Sequence, residues 1–116
     1  MRMLAGLMTL GLLAGCSTHS MDQARTAAPT KTFTSEKKDQ LVAQCVQFAW
    51  QDETMFSVEA AAYLQPGPAG GYTVYTRSSE YFIDVTSSAA GTTVNYYITN
   101  ADALAERRLA TLATCL

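Results

Sequence analysis

Between residues 72 and 99 the chain reads YTVYTR, then EYFIDVT, then TTVNYYIT, and Tyr72/Val74, Ile83/Val85 and Val94/Tyr96/Ile98 recur at every second position along the runs. A period of two marks strands with one buried side. The runs are separated by two residues and by the turn-like SSAAG, residues 87–91. Parallel pairing needs a crossover of a dozen or more residues, so strands this close must run antiparallel. QPGPAGG, residues 65–71, is a turn by composition. Before it, SVEAAAYL (57–64) alternates Val58, Ala60, Ala62 and Leu64 against Glu59, Ala61 and Tyr63. Its alanines also suit a helix. The expected sheet is therefore an antiparallel meander of three or four strands.

A helix is predicted on each side of this meander. Residues 35–51, SEKKDQLVAQCVQFAWQ, place Leu41, Cys45, Phe48 and Ala49 on one stripe, with Val42 and Val46 beside it. Ser35 suits the N-cap and Glu36 the positive end of the helix dipole. Cys45 would point inward, and Trp50 would close the core. The last helix, from a cap at Asn100 or Asp102, buries Leu104, Ala105, Leu109, Leu112, Ala113 and Leu116, with Cys115 close by. Glu106, Arg107 and Arg108 face water. The one large apolar surface available to both helices is the sheet face carrying Val58, Ala62, Tyr72, Val74, Ile83, Val85, Val94, Tyr96 and Ile98. The fold class is α+β: N-terminal helix, antiparallel meander, C-terminal helix, both helices on one sheet face.

The first sixteen residues carry a different message. Arg2 supplies a positive charge, residues 3–14 are almost wholly apolar, and small residues precede Cys16. This is the pattern of a secretory signal peptide. The apolar run, about 12 residues, is too short for a permanent span, which needs about 20. Leu13-Ala14-Gly15-Cys16 resembles the lipobox of bacterial lipoproteins. That resemblance implies lipid on the Cys16 sulfur, removal of residues 1–15 and, with Ser17 rather than Asp next to the cysteine, export to the outer membrane. The domain would then hang on the periplasmic face, held by covalent lipid. Residues 16–34 have no apolar period and are rich in Ser, Thr and Ala, so they read as the lipidated cysteine and a flexible tether. An 18-residue coil spans about 23 Å. The α+β domain would occupy 35–116.

Cutting before Cys16 takes 15 residues off 116 and leaves 101, enough for one small domain. With Arg2 gone, seven basic side chains stand against ten acidic ones, a formal charge of −3. An acidic chain without Lys/Arg clusters argues against nucleic acid as a partner. Export would put the remaining cysteines, Cys45 and Cys115, in an oxidising compartment where they can form only one bridge. The other reading is two buried thiols. A metal centre is disfavoured, because the one histidine, His19, falls in the expected tether.

Few residues could do chemistry. Serines have no base partner, the carboxylates are scattered, and no Gly-rich loop leads from a strand into a helix. No catalytic residue, resident cofactor or enzymatic activity is expected. The other sheet face carries Glu59, Tyr63, Tyr75, Arg77, Phe82, Asp84, Asn95 and Tyr97. Aromatics with polar neighbours serve protein interfaces. They also stiffen sheets by cross-strand pairing. Tyr63, Tyr75, Arg77, Phe82, Asn95 and Tyr97 are the candidate binding face.

The order of lipobox, polar segment, CVQFAW (45–50), GYTV (71–74), VNYY (94–97) and near-terminal ATCL resembles a group of small proteobacterial lipoproteins of unknown function. The resemblance implies an α+β domain with a Cys45–Cys115 bridge and no assigned activity. The expectation is an outer-membrane-anchored envelope interaction module. The alternative is a domain that binds a small ligand or a peptidoglycan glycan through the same aromatics. A glycan site needs a groove with convergent polar groups, whereas a protein site can be flat.

Overall fold

The computed structural model describes residues 16–52 and 61–116. The expected signal peptide lies outside the described residues. In chain order the elements are α1 (Cys16–Ala24), β1 (Lys31–Ser35), α2 (Asp39–Gln51), β2 (Ala62–Pro66), β3 (Tyr72–Thr76), β4 (Tyr81–Ser88), β5 (Gly91–Ile98) and α3 (Leu104–Ala113). Among the described residues the strands form one five-stranded antiparallel sheet in the order β1-β5-β4-β3-β2. The domain is thus α+β, with β2 to β5 as the meander.

The fifth strand is a correction. The stretch read as a tether contributes α1 and β1, and β1 pairs with β5 from Lys31↔Tyr96 to Ser35↔Thr92. Its sequence, KTFTS, has only Phe33 as a large apolar residue, because an edge strand gains most from its ladder hydrogen bonds. Ser35 is accordingly a strand residue, not a helix cap. α2 starts four residues later, and Ser35 Oγ instead donates to the Leu116 carbonyl at 2.9 Å and accepts from the Lys37 N–H at 3.1 Å. The strand expected at 57–64 begins at Ala62 and runs to Pro66; the rest of that stretch, up to residue 60, lies outside the described residues.

The turn between β2 and β3 depends on Gly71. Its φ is +67°, and a Cβ there would lie 1.9 Å from the Val85 carbonyl oxygen, so only glycine fits beside β4.

The main core joins Val42, Ala43, Val46 and Trp50 of α2 with Ala105 and Leu112 of α3 and with Val74, Ile83, Val85, Val94 and Tyr96 of the sheet. The stripe of α2 is rotated from the expected one. Leu41 and Phe48 are 57% and 59% exposed, and Cys45 is also on the exposed side. Apolar residues surround this helix, so its period fits two faces, and the bulk of Trp50 selects between them. On α3, Ala113 is exposed and Arg108 is only 2% exposed, the reverse of the sequence reading. Arg108 is accommodated by a reciprocal pair: Trp50 Nε1 donates to the Arg108 carbonyl and Arg108 Nη1 donates to the Trp50 carbonyl, each at 3.1 Å. Its guanidinium also lies 5.7 Å from the Trp50 ring centre and 5.8 Å from that of Tyr81. Cys45 and Cys115 are disulfide-bonded, with Cα atoms 5.7 Å apart, and so join α2 to the end of α3.

Candidate functional site

The sheet register creates a row of aromatics. Tyr63 pairs with Tyr75, Tyr75 with Phe82, and Phe82 with Tyr97, so the four rings cross β2, β3, β4 and β5 at one level. The Tyr63 and Tyr75 ring centres are 5.4 Å apart and tilted, while Phe82 and Tyr97 stack at 4.7 Å with planes 9° apart. Both spacings lie in the favourable range for aromatic pairs.

The row has a covered half and an open half. Met21 of α1 packs on Phe82 and Tyr97, with Ala24 and Tyr75 at the margin. Phe82 is fully buried and Tyr97 is 8% exposed, whereas Tyr63 is 41% exposed. Phe82 and Tyr97, read from sequence as part of an open face, are therefore closed off. The reason lies in residues 16–34: Met21 and Ala24 fall on one side of α1, and Arg25, the residue just past its end, continues that side, its N–H donating to the Met21 carbonyl at 3.0 Å. Met21 and Ala24 were the only signal of this packing, too short to establish a period.

Arg25 fixes α1 in place. Its Nε and Nη2 donate to the two carboxylate oxygens of Asp84, both at 2.7 Å, and Nη2 also reaches Thr73 Oγ1 at 3.1 Å. Thr73 Oγ1 in turn donates to Asp84 Oδ1 at 2.7 Å. The guanidinium sits 5.1 Å from the Phe82 ring centre. Asp22 adds a more exposed ion pair to Arg25 at 2.9 Å. Asp84, expected to be solvated on the open side of its strand, is buried because Arg25, just past the end of α1, comes to it as a bidentate partner. Hydrogen bonds to Asp84 are the largest cause of a raised Arg25 pKa.

The remaining candidates are dispersed. Asn95 lies one level along from the row, half-buried, where its Oδ1 accepts from Thr32 Oγ1 at 2.9 Å. Arg77 is exposed beyond the end of β3 and lines a separate cavity of about 150 Å³ with Thr76, Glu80, Tyr81, Asp102 and Arg108. The carboxylates of this cavity are used in holding the fold. Glu80 accepts from Thr76 Oγ1 at 2.8 Å and the Ser78 N–H at 3.0 Å. Asp102 accepts from the Tyr81 hydroxyl and, at 2.9 Å, from the Leu104 N–H at the start of α3.

Burial, and then the hydrogen bond and charge of Asp102, push the Tyr81 phenol well above its usual range. The sign follows from linkage. Above pH about 10 an unfolded chain releases this proton while the folded chain keeps it, so stability falls as pH rises through and beyond that value. Urea unfolding between pH 8 and 11 should show this decline, and Tyr81→Phe should flatten part of it. An identical slope in Tyr81→Phe would contradict the assignment.

No family model, curated protein or solved structure matches the chain.

Proposed function

We propose that the chain is an outer-membrane lipoprotein, anchored through lipid on Cys16, which works as an envelope interaction module and binds a protein through Tyr63 and Tyr75. The lipobox, Leu13 to Cys16, and the neighbouring Ser17 support the anchor and its destination. The observation that carries the binding mode is the engagement of the polar groups near the row. Arg25, Asp84 and Thr73 bond one another, and Asn95 is bonded to Thr32. A sugar site needs converging donors and acceptors that are not already spent. An exposed Tyr63 ring beside a half-buried Tyr75, toward the β2 edge, suits a flat protein contact better than a glycan groove. The packing of Val42, Trp50, Ala105 and Leu112 in one core supports α2 and α3 sharing the sheet face opposite this row.

The test is in-cell cross-linking from intact envelopes with wild type and a Tyr63→Ser/Tyr75→Ser variant. Captured protein should fall at least about tenfold in the variant, equivalent to about 1.4 kcal/mol of binding, while thermal unfolding changes little. Unchanged capture, or retention on peptidoglycan sacculi that depends on the two tyrosines, would reject the protein-binding reading. In parallel, Cys16→Ala should abolish palmitate incorporation and membrane fractionation.

A further inference from the structure

We infer that the lipid anchor holds the domain in one orientation, with the sheet pole formed by residues 77–80 and 99–102 facing the bilayer headgroups. This rests on the lipidation of Cys16 proposed above. The observation behind it is that α1 both starts at Cys16 and docks on the sheet.

The direction of α1 can be read from its contacts. Arg25 reaches Asp84 and Thr73, while Met21, one helical turn earlier, packs on Phe82 and Tyr97. Along β4, moving from Asp84 to Phe82 approaches the turn at residues 77–80. Ser20, Gln23 and Ala24 border the same surface groove as Ile98 and Thr99, which sets α1 beside the end of β5, while the step from Arg25 to Met21 gives its direction. That strand end is fastened to the turn, because the Thr99 N–H donates to the Glu80 carbonyl at 2.9 Å and Thr99 Oγ1 to the Ser79 carbonyl at 2.7 Å. The N-terminal end of α1 therefore points toward this pole.

Distance then sets the orientation. Cys16 is five residues before Met21 on α1, about 7.5 Å along a helix at 1.5 Å per residue. A coil over the 18 residues that follow Cys16 would give about 23 Å and free rotation. With α1 docked, the lipid-bearing residue stays beside the pole. β4 is eight residues long, about 26 Å at 3.3 Å per residue, so the β4–β5 hairpin at residues 88–91 is held that much farther from the lipid. Arg77, Ser78, Asn100 and Asp102 are exposed at the near pole, polar and of mixed charge. They fit contact with a headgroup layer and not insertion into hydrocarbon. The aromatic row, one position from the ends of β3 and β5, lies in the membrane-proximal part of the domain. A partner of Tyr63 and Tyr75 must then itself approach the membrane surface.

The experiment uses the full acylated protein in phosphatidylcholine–phosphatidylethanolamine vesicles containing lipids with a headgroup spin label. A fluorophore is attached to Ser78→Cys or, separately, Ala90→Cys, with the native disulfide intact. Quenching should be several-fold stronger at position 78 than at 90. Inserting about ten Gly/Ser residues after Ser17 leaves α1's docking residues unchanged, restores a coil and should bring the two signals together. Equal quenching in protein that floats with the vesicles would overturn the orientation alone, as would a contrast that survives the insertion. Protein that neither floats nor carries acyl mass would overturn the lipidation reading and the orientation with it.

Discussion

Replacing Cys45 and Cys115 together with alanine is expected to lower unfolding free energy by about 4 kcal/mol, the value the chain-entropy relation gives for so long a loop. The bridge spans 70 residues of sequence, and its Cα separation of 5.7 Å lies within the range a disulfide accepts. The folded state would lose little packing at Cys45, which lies on the exposed side of α2, but more at Cys115, which is fully buried. Most of the loss therefore comes from release of the unfolded chain. The end of α3 has other fastenings, Ser35 Oγ to the Leu116 carbonyl and Lys37 Nζ to that of Cys115, at 2.9 and 3.3 Å. The variant should keep its fold at low urea and unfold at a midpoint lower by more than about 1 M. The native protein should resist alkylation until reduced. A midpoint unchanged in the double variant would mean that the bridge does not constrain the unfolded chain.

Asp84→Ala should cost about 3 kcal/mol. Removing one member of a buried ion pair costs about 3–5 kcal/mol, because the partner is left uncompensated. The lower end applies here, since Arg25 and Asp84 side chains keep 14% and 12% exposure and Asp22 remains beside Arg25. The loss should have a location. α1 should detach, uncovering Phe82 and Tyr97, and hydrogen exchange should rise over Cys16–Ala24 while α2 and α3 stay protected. An Arg25→Met/Asp84→Leu pair should recover much of the stability, as apolar replacement of buried pairs does elsewhere. A loss confined to α3, or none at all, would contradict the role assigned to this clamp.

These two sites differ in how far they could be read from the chain. The meander was legible because β-branched and aromatic residues recur at every second position within 72–99, and β3, β4 and β5 begin and end within two residues of those runs. The bridge was legible as a possibility, because export leaves two cysteines and one pairing. α2 was recognisable as a helix but not in its facing: Leu41, Val42, Ala43, Cys45, Val46, Phe48, Ala49 and Trp50 offer two overlapping stripes. The clamp was hidden because Arg25 and Asp84 are 59 residues apart, and each alone looks like an ordinary solvated charge. β1 was hidden for another reason: KTFTS buries only Ser35, with Phe33 partly buried, so its place in the sheet comes from backbone pairing that composition does not encode. For Arg108, charge was a poor guide because the planar guanidinium can stack on rings and serve backbone carbonyls. The candidate face was legible as a row of rings, and its division into open and closed halves depended entirely on the segment that had no readable period.

The pairing of Trp50 with Arg108 has a practical consequence. Trp50 is the one tryptophan in the chain, and it is wholly buried at the joint between α2 and α3. Its intrinsic emission is therefore a monitor of that joint, sensitive to withdrawal of the cation and entry of water. Tyr75 packs against the other cluster of the domain and Tyr63 lies against Tyr75, so a partner could dock on them and leave the tryptophan spectrum unmoved. Emission would follow the parting of the two helices, while occupancy of the tyrosine surface would need a probe placed there.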